Sequence, residues 1–156
     1  MLEVDIPGFG TVRLKHLASD FTGTLSMHGR LVPGVKELLN RVAAILDVHI
    51  LTADTFGTAR SELAGVACRL HILEGNNEDA QKEGYVQSLG AENVIALGNG
   101  NNDRKMLKAA RIGIAVSLNE GCAMEAAFSA NILMTSATDA LELLLQDNSL
   151  KATLRF

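Results

Sequence analysis

Leu17-Ala18-Ser19-Asp20-Phe21-Thr22-Gly23-Thr24-Leu25 opens with a short apolar run that predicts a buried strand ending at Asp20. A carboxylate directly after such a strand, with Gly and Thr close behind, can present a nucleophilic oxygen beside backbone N–H groups able to hold a phosphate. The same Asp-x-x-Gly spacing in isolation also describes an aspartate that caps a turn. The surrounding elements decide between the two.

Upstream, residues 2–6, the turn Pro7-Gly8-Phe9-Gly10 and residues 11–14 predict a β-hairpin. Downstream, Val35, Leu38, Leu39, Val42, Ala43 and Leu46 recur at helical spacing behind Pro33-Gly34. Val48, Ile50 and Leu51 form a strand leading to Thr52, residues 58–66 a helix closing near Gly65, and residues 70–73 a third strand. A helix over 78–89 ends at Gly90, a left-handed cap, and residues 93–97 give the next strand. Helices at 103–110, 120–128 and 137–145 then alternate with strands at 112–116 and 132–134. This alternation predicts one α/β domain over residues 1–156, a doubly wound Rossmann-like parallel sheet flanked by helices, with the hairpin at its N-terminus. Ligands of such sheets sit beyond the carboxyl ends of the strands, where strand order reverses.

Polar groups cluster at those ends. Asp20 to Leu25 follows the first core strand, Thr52-Ala53-Asp54-Thr55 the second, and Gly98-Asn99-Gly100-Asn101-Asn102-Asp103 the fourth. The Thr52 hydroxyl can bond a phosphoryl oxygen or cap the following segment. Asn99, Asn102 and Asp103 offer oxygens to a hard cation such as Mg²⁺. Lys82, on a helix, reads either as a surface lysine or as the cation that a phosphoryl site requires.

The chain of 156 residues is 47% hydrophobic and 21% charged, an ordinary globular balance. A net charge of -4 with 14 scattered basic residues argues against nucleic acid as a partner. No apolar run approaches 18 residues and the N-terminus carries acid, so no membrane partner and a cytoplasmic location are expected. Cys68 and Cys122 lie far apart in no metal-binding spacing, and read as buried thiols.

In order and spacing these segments resemble the four motifs of the haloacid dehalogenase-like superfamily, over residues 17–134. The resemblance implies a nucleophilic Asp20 that forms an aspartyl-phosphate, with Thr52 and Lys82 as the phosphoryl-holding pair. It implies Mg²⁺ as cofactor, held by Asp20, the Thr22 carbonyl and motif-four residues Asn99 and Asp103. Ala53 and Asn102 join Thr52 and Lys82 as substrate contacts.

Two positions depart from the family pattern. Thr22 stands where family phosphatases usually carry an acid/base Asp; P-type ATPases carry Thr there, and the sequence is similar to the soluble, membrane-free relatives of those pumps. Losing one acid/base group typically costs about 10²–10⁴-fold in rate, so slow turnover is expected. Asn99 stands where an Asp commonly binds the metal; its amide oxygen can coordinate but carries no charge. The stretches 25–52 and 52–82 leave no room for a cap domain. Self-association over the open site is therefore expected, with a small phosphorylated substrate. A turn or flap at Ser26-Met27-His28-Gly29 makes His28 a candidate contact; His16, His49 and His71 receive no role. The alternative is a phosphate- and Mg²⁺-binding regulatory module with little turnover.

Overall fold

The computed structural model describes all residues, Met1–Phe156. Its centre is a six-stranded, all-parallel sheet of β3 (His16–Ser19), β6 (Asp47–Thr52), β7 (Arg69–Ile72), β8 (Val94–Gly98), β9 (Ile112–Val116) and β10 (Ile132–Met134). The spatial order is β10-β9-β8-β3-β6-β7. From β3 the chain winds outward through β6 and β7, then returns to β8 on the other side, so strand order reverses between β3 and β8. Both neighbours run parallel to β3, with Ser19 opposite Ile50 and Leu97. Parallel register therefore brings the carboxyl ends of three strands side by side.

Helices cover both faces of the sheet, so its central strands are buried on both sides; β8 and β9 are buried at every residue. Leu17, Ile50, Ile95 and Ile114 face one core with α1 (Val35–Ala43), α6 (Ala137–Leu143) and α7 (Asp147–Leu154). Ala18, Leu51 and Ala96 face the other core, with α3 (Glu78–Ser88), α4 (Arg104–Ala109) and α5 (Met124–Ser129). The helix α1 buries Val35, Leu38, Leu39 and Val42, the stripe its spacing predicts. An antiparallel hairpin of β1 (Leu2–Ile6) and β2 (Gly10–Leu14) buries Leu2, Val4, Ile6, Val12 and Leu14 in the first core, beside Leu150 and Leu154 of α7.

Several boundaries differ from the sequence expectation. The helix expected over 58–66 shrinks to one turn, α2 (Ala59–Glu62), and the chain then turns at Gly65 (φ 81). The helix expected from Glu120 starts only at Met124, because Gly121 has a left-handed φ of 81. That leaves Glu120 on a loop. No helix was expected over 147–154; its polar start hides Leu150 and Leu154, whose spacing of four seats both in the core. The flap is a small hairpin of β4 (Ser26–Met27) and β5 (Arg30–Leu31), turned by His28 and Gly29 with φ 52 and 78. No helix is long and apolar enough to cross a membrane.

Candidate active site

Asp20 sits just past the end of β3, its N–H bonded 2.9 Å to the Leu97 carbonyl of β8. It is 6% exposed. Its Oδ1 accepts a 2.8 Å bond from Lys82 Nζ, and Nζ donates a second, 2.7 Å bond to Asp103 Oδ1. Lys82 comes from α3, where it and Val86 are the buried face. Burial opposes its charge, but the two carboxylates outweigh that and hold its pKa above the ordinary lysine range. Burial first, then the negative charge of Asp103, pushes the Asp20 pKa up to about 6, with Lys82 pulling the other way.

Asp103 is fully buried, and its second oxygen is also committed: Oδ2 accepts from the Asn99 and Gly100 N–H groups at 2.9 Å each. The carboxylate thus shapes the turn after β8. It leaves no space for a side chain at Gly98, where a Cβ would lie 2.5 Å from Asp103 Cβ.

The other oxygen of Asp20 faces outward. Thr24 Oγ1 lies 3.2 Å from Asp20 Oδ2 and 3.2 Å from Asn99 Oδ1. Its single hydrogen serves one of them at a time. Thr24 thus ties Asp20 to Asn99, and both residues line a cleft of about 200 Å³. Thr22, Thr52, Ala53 and Asn102 wall this cleft, and Glu78 and Glu120 also face it. Only Ala53 among the lining residues is apolar, which suits a small polar ligand. Thr52 Oγ1 accepts from Asp54 N at 2.9 Å, leaving the hydroxyl hydrogen free to donate. The N–H groups of Thr22 and Ala53 and the Thr22 carbonyl have no hydrogen-bond partner in the chain.

Of the residues singled out from sequence, Asp20, Thr22, Thr52, Ala53, Asn99 and Asn102 meet in this cleft. Lys82 and Asp103 lie behind Asp20 instead. With both its oxygens taken, Asp103 is not placed to bind a cation, and Asn99 is the motif-four oxygen that reaches the cleft. Sequence reasoning missed Thr24, Glu78 and Glu120. Glu120 follows the end of β9, the same kind of position that exposed the other site residues, but it had been absorbed into a helix. Glu78 accepts a 2.7 Å bond from Asn102 Nδ2 and is the first residue of α3; in the sequence it was no more than the start of the helix expected over 78–89.

Nowhere do three His, Cys, Asp or Glu side chains gather as a metal cluster. A cation in the cleft would rest on one carboxylate (Asp20), one amide oxygen (Asn99) and one free carbonyl (Thr22). All are hard oxygen donors. Few protein ligands and room for water suit Mg²⁺.

Residues 71–129 match the haloacid dehalogenase-like hydrolases. An uncharacterized protein of Methanocaldococcus jannaschii is 48% identical over 62 residues, 40% of this chain and 67% of its own length. A probable copper-transporting ATPase of Arabidopsis thaliana is 32% identical over 117 residues, which are 73% of this chain but 12% of the ATPase. Among solved structures, the cobalt-bound deoxy-D-mannose-octulosonate 8-phosphate phosphatase of Haemophilus influenzae superposes with a TM-score of 0.72 at 13% identity, covering 92% of this chain and 94% of its own. The corresponding phosphatase of Moraxella catarrhalis, in complex with magnesium, phosphate and its sugar, gives 0.58 at 21% identity, covering 91% and 94%. At such identities these structures speak for the fold, and the sequence matches speak for descent. Together they establish that the chain belongs to the haloacid dehalogenase-like hydrolases.

Proposed function

We propose that the chain is a Mg²⁺-dependent phosphohydrolase, a phosphatase or slow ATPase, that works through an aspartyl-phosphate on Asp20. The observation that carries this reading is the pair of roles at one carboxylate: Oδ1 is tied to buried Lys82, while Oδ2 faces the cleft beside Asn99 Oδ1. Mg²⁺, when bound by Asp20, the Thr22 carbonyl and Asn99, would neutralise charge on the phosphoryl oxygens and orient them.

The chain's own groups do the rest. With its pKa near 6, Asp20 is mostly ionised at pH 7 and above, as a nucleophile must be. A carboxylate oxygen attacks phosphorus, the bond from phosphorus to the leaving oxygen breaks, and that oxygen takes a proton. The Thr52 hydroxyl and the Thr22 and Ala53 N–H groups donate to the phosphoryl oxygens, and Lys82 compensates the charge from behind. Water then attacks the phosphorus of the aspartyl-phosphate, giving inorganic phosphate and free Asp20.

Both proton transfers call for an acid/base group beside Asp20. Thr22 occupies the cleft there with a hydroxyl, which does not ionise near neutral pH. Protons must come from water, and turnover is slow. The same observation favours a second reading, a phosphate- and Mg²⁺-binding regulatory module with almost no turnover.

The substrate class is small phosphorylated compounds, in keeping with what the two octulosonate phosphatases act on. The cleft has no cap beyond the β4–β5 hairpin, and exposed Phe56 lies beside that hairpin at Gly29. A second subunit would close it. A panel of phosphomonoesters with Mg²⁺ or EDTA separates the readings. Phosphate release that needs Mg²⁺ and vanishes in Asp20→Asn supports the hydrolase. Melting temperature raised by Mg²⁺ and phosphate, with no release, supports the regulatory module.

A further inference from the structure

An asparagine is an ambiguous ligand, because its amide can present either an oxygen or an NH₂ group to a cation and only the oxygen binds. In the cleft the ambiguity is resolved by what stands behind it. Asn99 Nδ2 donates to Glu120 Oε1 at 3.3 Å and to the Gly121 carbonyl at 3.2 Å. The amide turned over would set its oxygen against a carboxylate and a carbonyl, two acceptors without a donor between them, and would aim NH₂ at the carboxylate of Asp20. The first change is repulsive; the second would gain a hydrogen bond to Asp20, so the two acceptors behind Asn99 are what hold its oxygen toward the cleft. The contact also has space reserved for it. Gly23, with φ +78, lies against it, and a Cβ there would overlap Glu120 Oε1 and crowd Asn99 Nδ2.

From this geometry we infer that Glu120 is a positioning residue of the cation site, holding the Asn99 amide so that Oδ1 faces Asp20. The inference rests on the reading in which Asp20, the Thr22 carbonyl and Asn99 take Mg²⁺. An aspartate at position 99 would need no such partner, since both its oxygens bind. Asn99 and Glu120 therefore act as a unit. Glu120 is solvent-exposed on the loop between β9 and α5, so its replacement leaves the core intact.

Calorimetric titration of the full chain with Mg²⁺ alone tests this, with thermal melts to confirm folding. Groups that orient a metal ligand typically contribute about 10–100-fold to metal affinity. For an exposed carboxylate the low end applies, so Glu120→Ala should weaken Mg²⁺ about tenfold. Glu120→Gln keeps an acceptor at the same reach and should stay close to the unsubstituted chain. In an Asn99→Asp background, Glu120→Ala should lose most of its effect. Unchanged affinity in Glu120→Ala would overturn the inference. So would Glu120→Gln as weak as Glu120→Ala, or an equal loss in both backgrounds, since either makes Glu120 a source of charge rather than of orientation. Failure of the unsubstituted chain to bind Mg²⁺ would overturn the metal site itself, and the inference with it.

Discussion

Replacing Lys82 by Met keeps the length of a fully buried side chain and removes the only cation between two buried carboxylates. Already in the intact protein, raising Asp20 from 3.8 to about 6 corresponds to roughly 3 kcal/mol at neutral pH, at about 1.36 kcal/mol per unit. Lys82, bonded at 2.8 and 2.7 Å, offsets that cost. Breaking a buried pair by removing one partner costs about 3–5 kcal/mol, and Lys82→Met should destabilise by that amount at pH 8. The sign with pH follows from Asp20. Without Lys82 its folded-state pKa rises further, so the folded state keeps a proton that the unfolded chain releases, and stability falls as pH rises through that range. In the intact protein the same effect ends near pH 6. Between pH 8 and 6 the variant alone gains, by about 1.4 kcal/mol per unit, and its penalty should shrink to about 0–2 kcal/mol at pH 5. Urea unfolding at both pH values, extrapolated linearly, measures this. A penalty under about 1 kcal/mol at pH 8, or an equal penalty at both, would refute the coupling of the two carboxylates through Lys82.

Thr22→Asp should raise phosphate release, within the roughly 10²–10⁴-fold that one acid/base group supplies; an unchanged rate would show that position 22 is not what limits turnover. His49, buried between His16 and Tyr85, is a second pH probe. Burial first, then His16 and Arg69, lowers its pKa from 6.5 to about 4, so the unfolded chain takes up a proton first as pH falls. Its effect appears only below pH 6.5 and grows to about 3 kcal/mol of lost stability by pH 4. Asp20 changes stability in the opposite sense over much of this range, so the effect should be read as the difference in unfolding free energy between the intact protein and His49→Gln at pH 7 and pH 4. A difference that does not change with pH would contradict it.

What was legible in the sequence follows from what a parallel sheet does to its strand ends. Asp20, Thr52 and Asn99 are far apart in the chain, yet each follows a buried run, and strands of matched register must bring such positions together. The partnerships among the side chains were not legible in that way. Asp103 and Asn99 lie in the same six-residue turn, and composition alone offers both to a metal. Only the fold reveals that Lys82 and two N–H groups consume the oxygens of Asp103. Glu120 was hidden because a left-handed glycine one residue later breaks the helix its apolar neighbours suggest. The C-terminal helix was hidden because two leucines four apart carry little periodicity until the hairpin is there to receive them.

The phosphorylated state of Asp20 is the most direct test. The chain is incubated with Mg²⁺ and a small acyl phosphate or ATP, quenched in acid and digested, and the peptide carrying Asp20 is weighed. A phosphoryl group should be found on that peptide and be absent in Asp20→Asn, because an acyl phosphate or ATP has a leaving group that needs no proton, whereas hydrolysis of the aspartyl-phosphate still lacks a base at Thr22. Phosphate turned over with Asp20 never modified, or a phosphoryl group still found on that peptide in Asp20→Asn, would contradict Asp20 as the nucleophile.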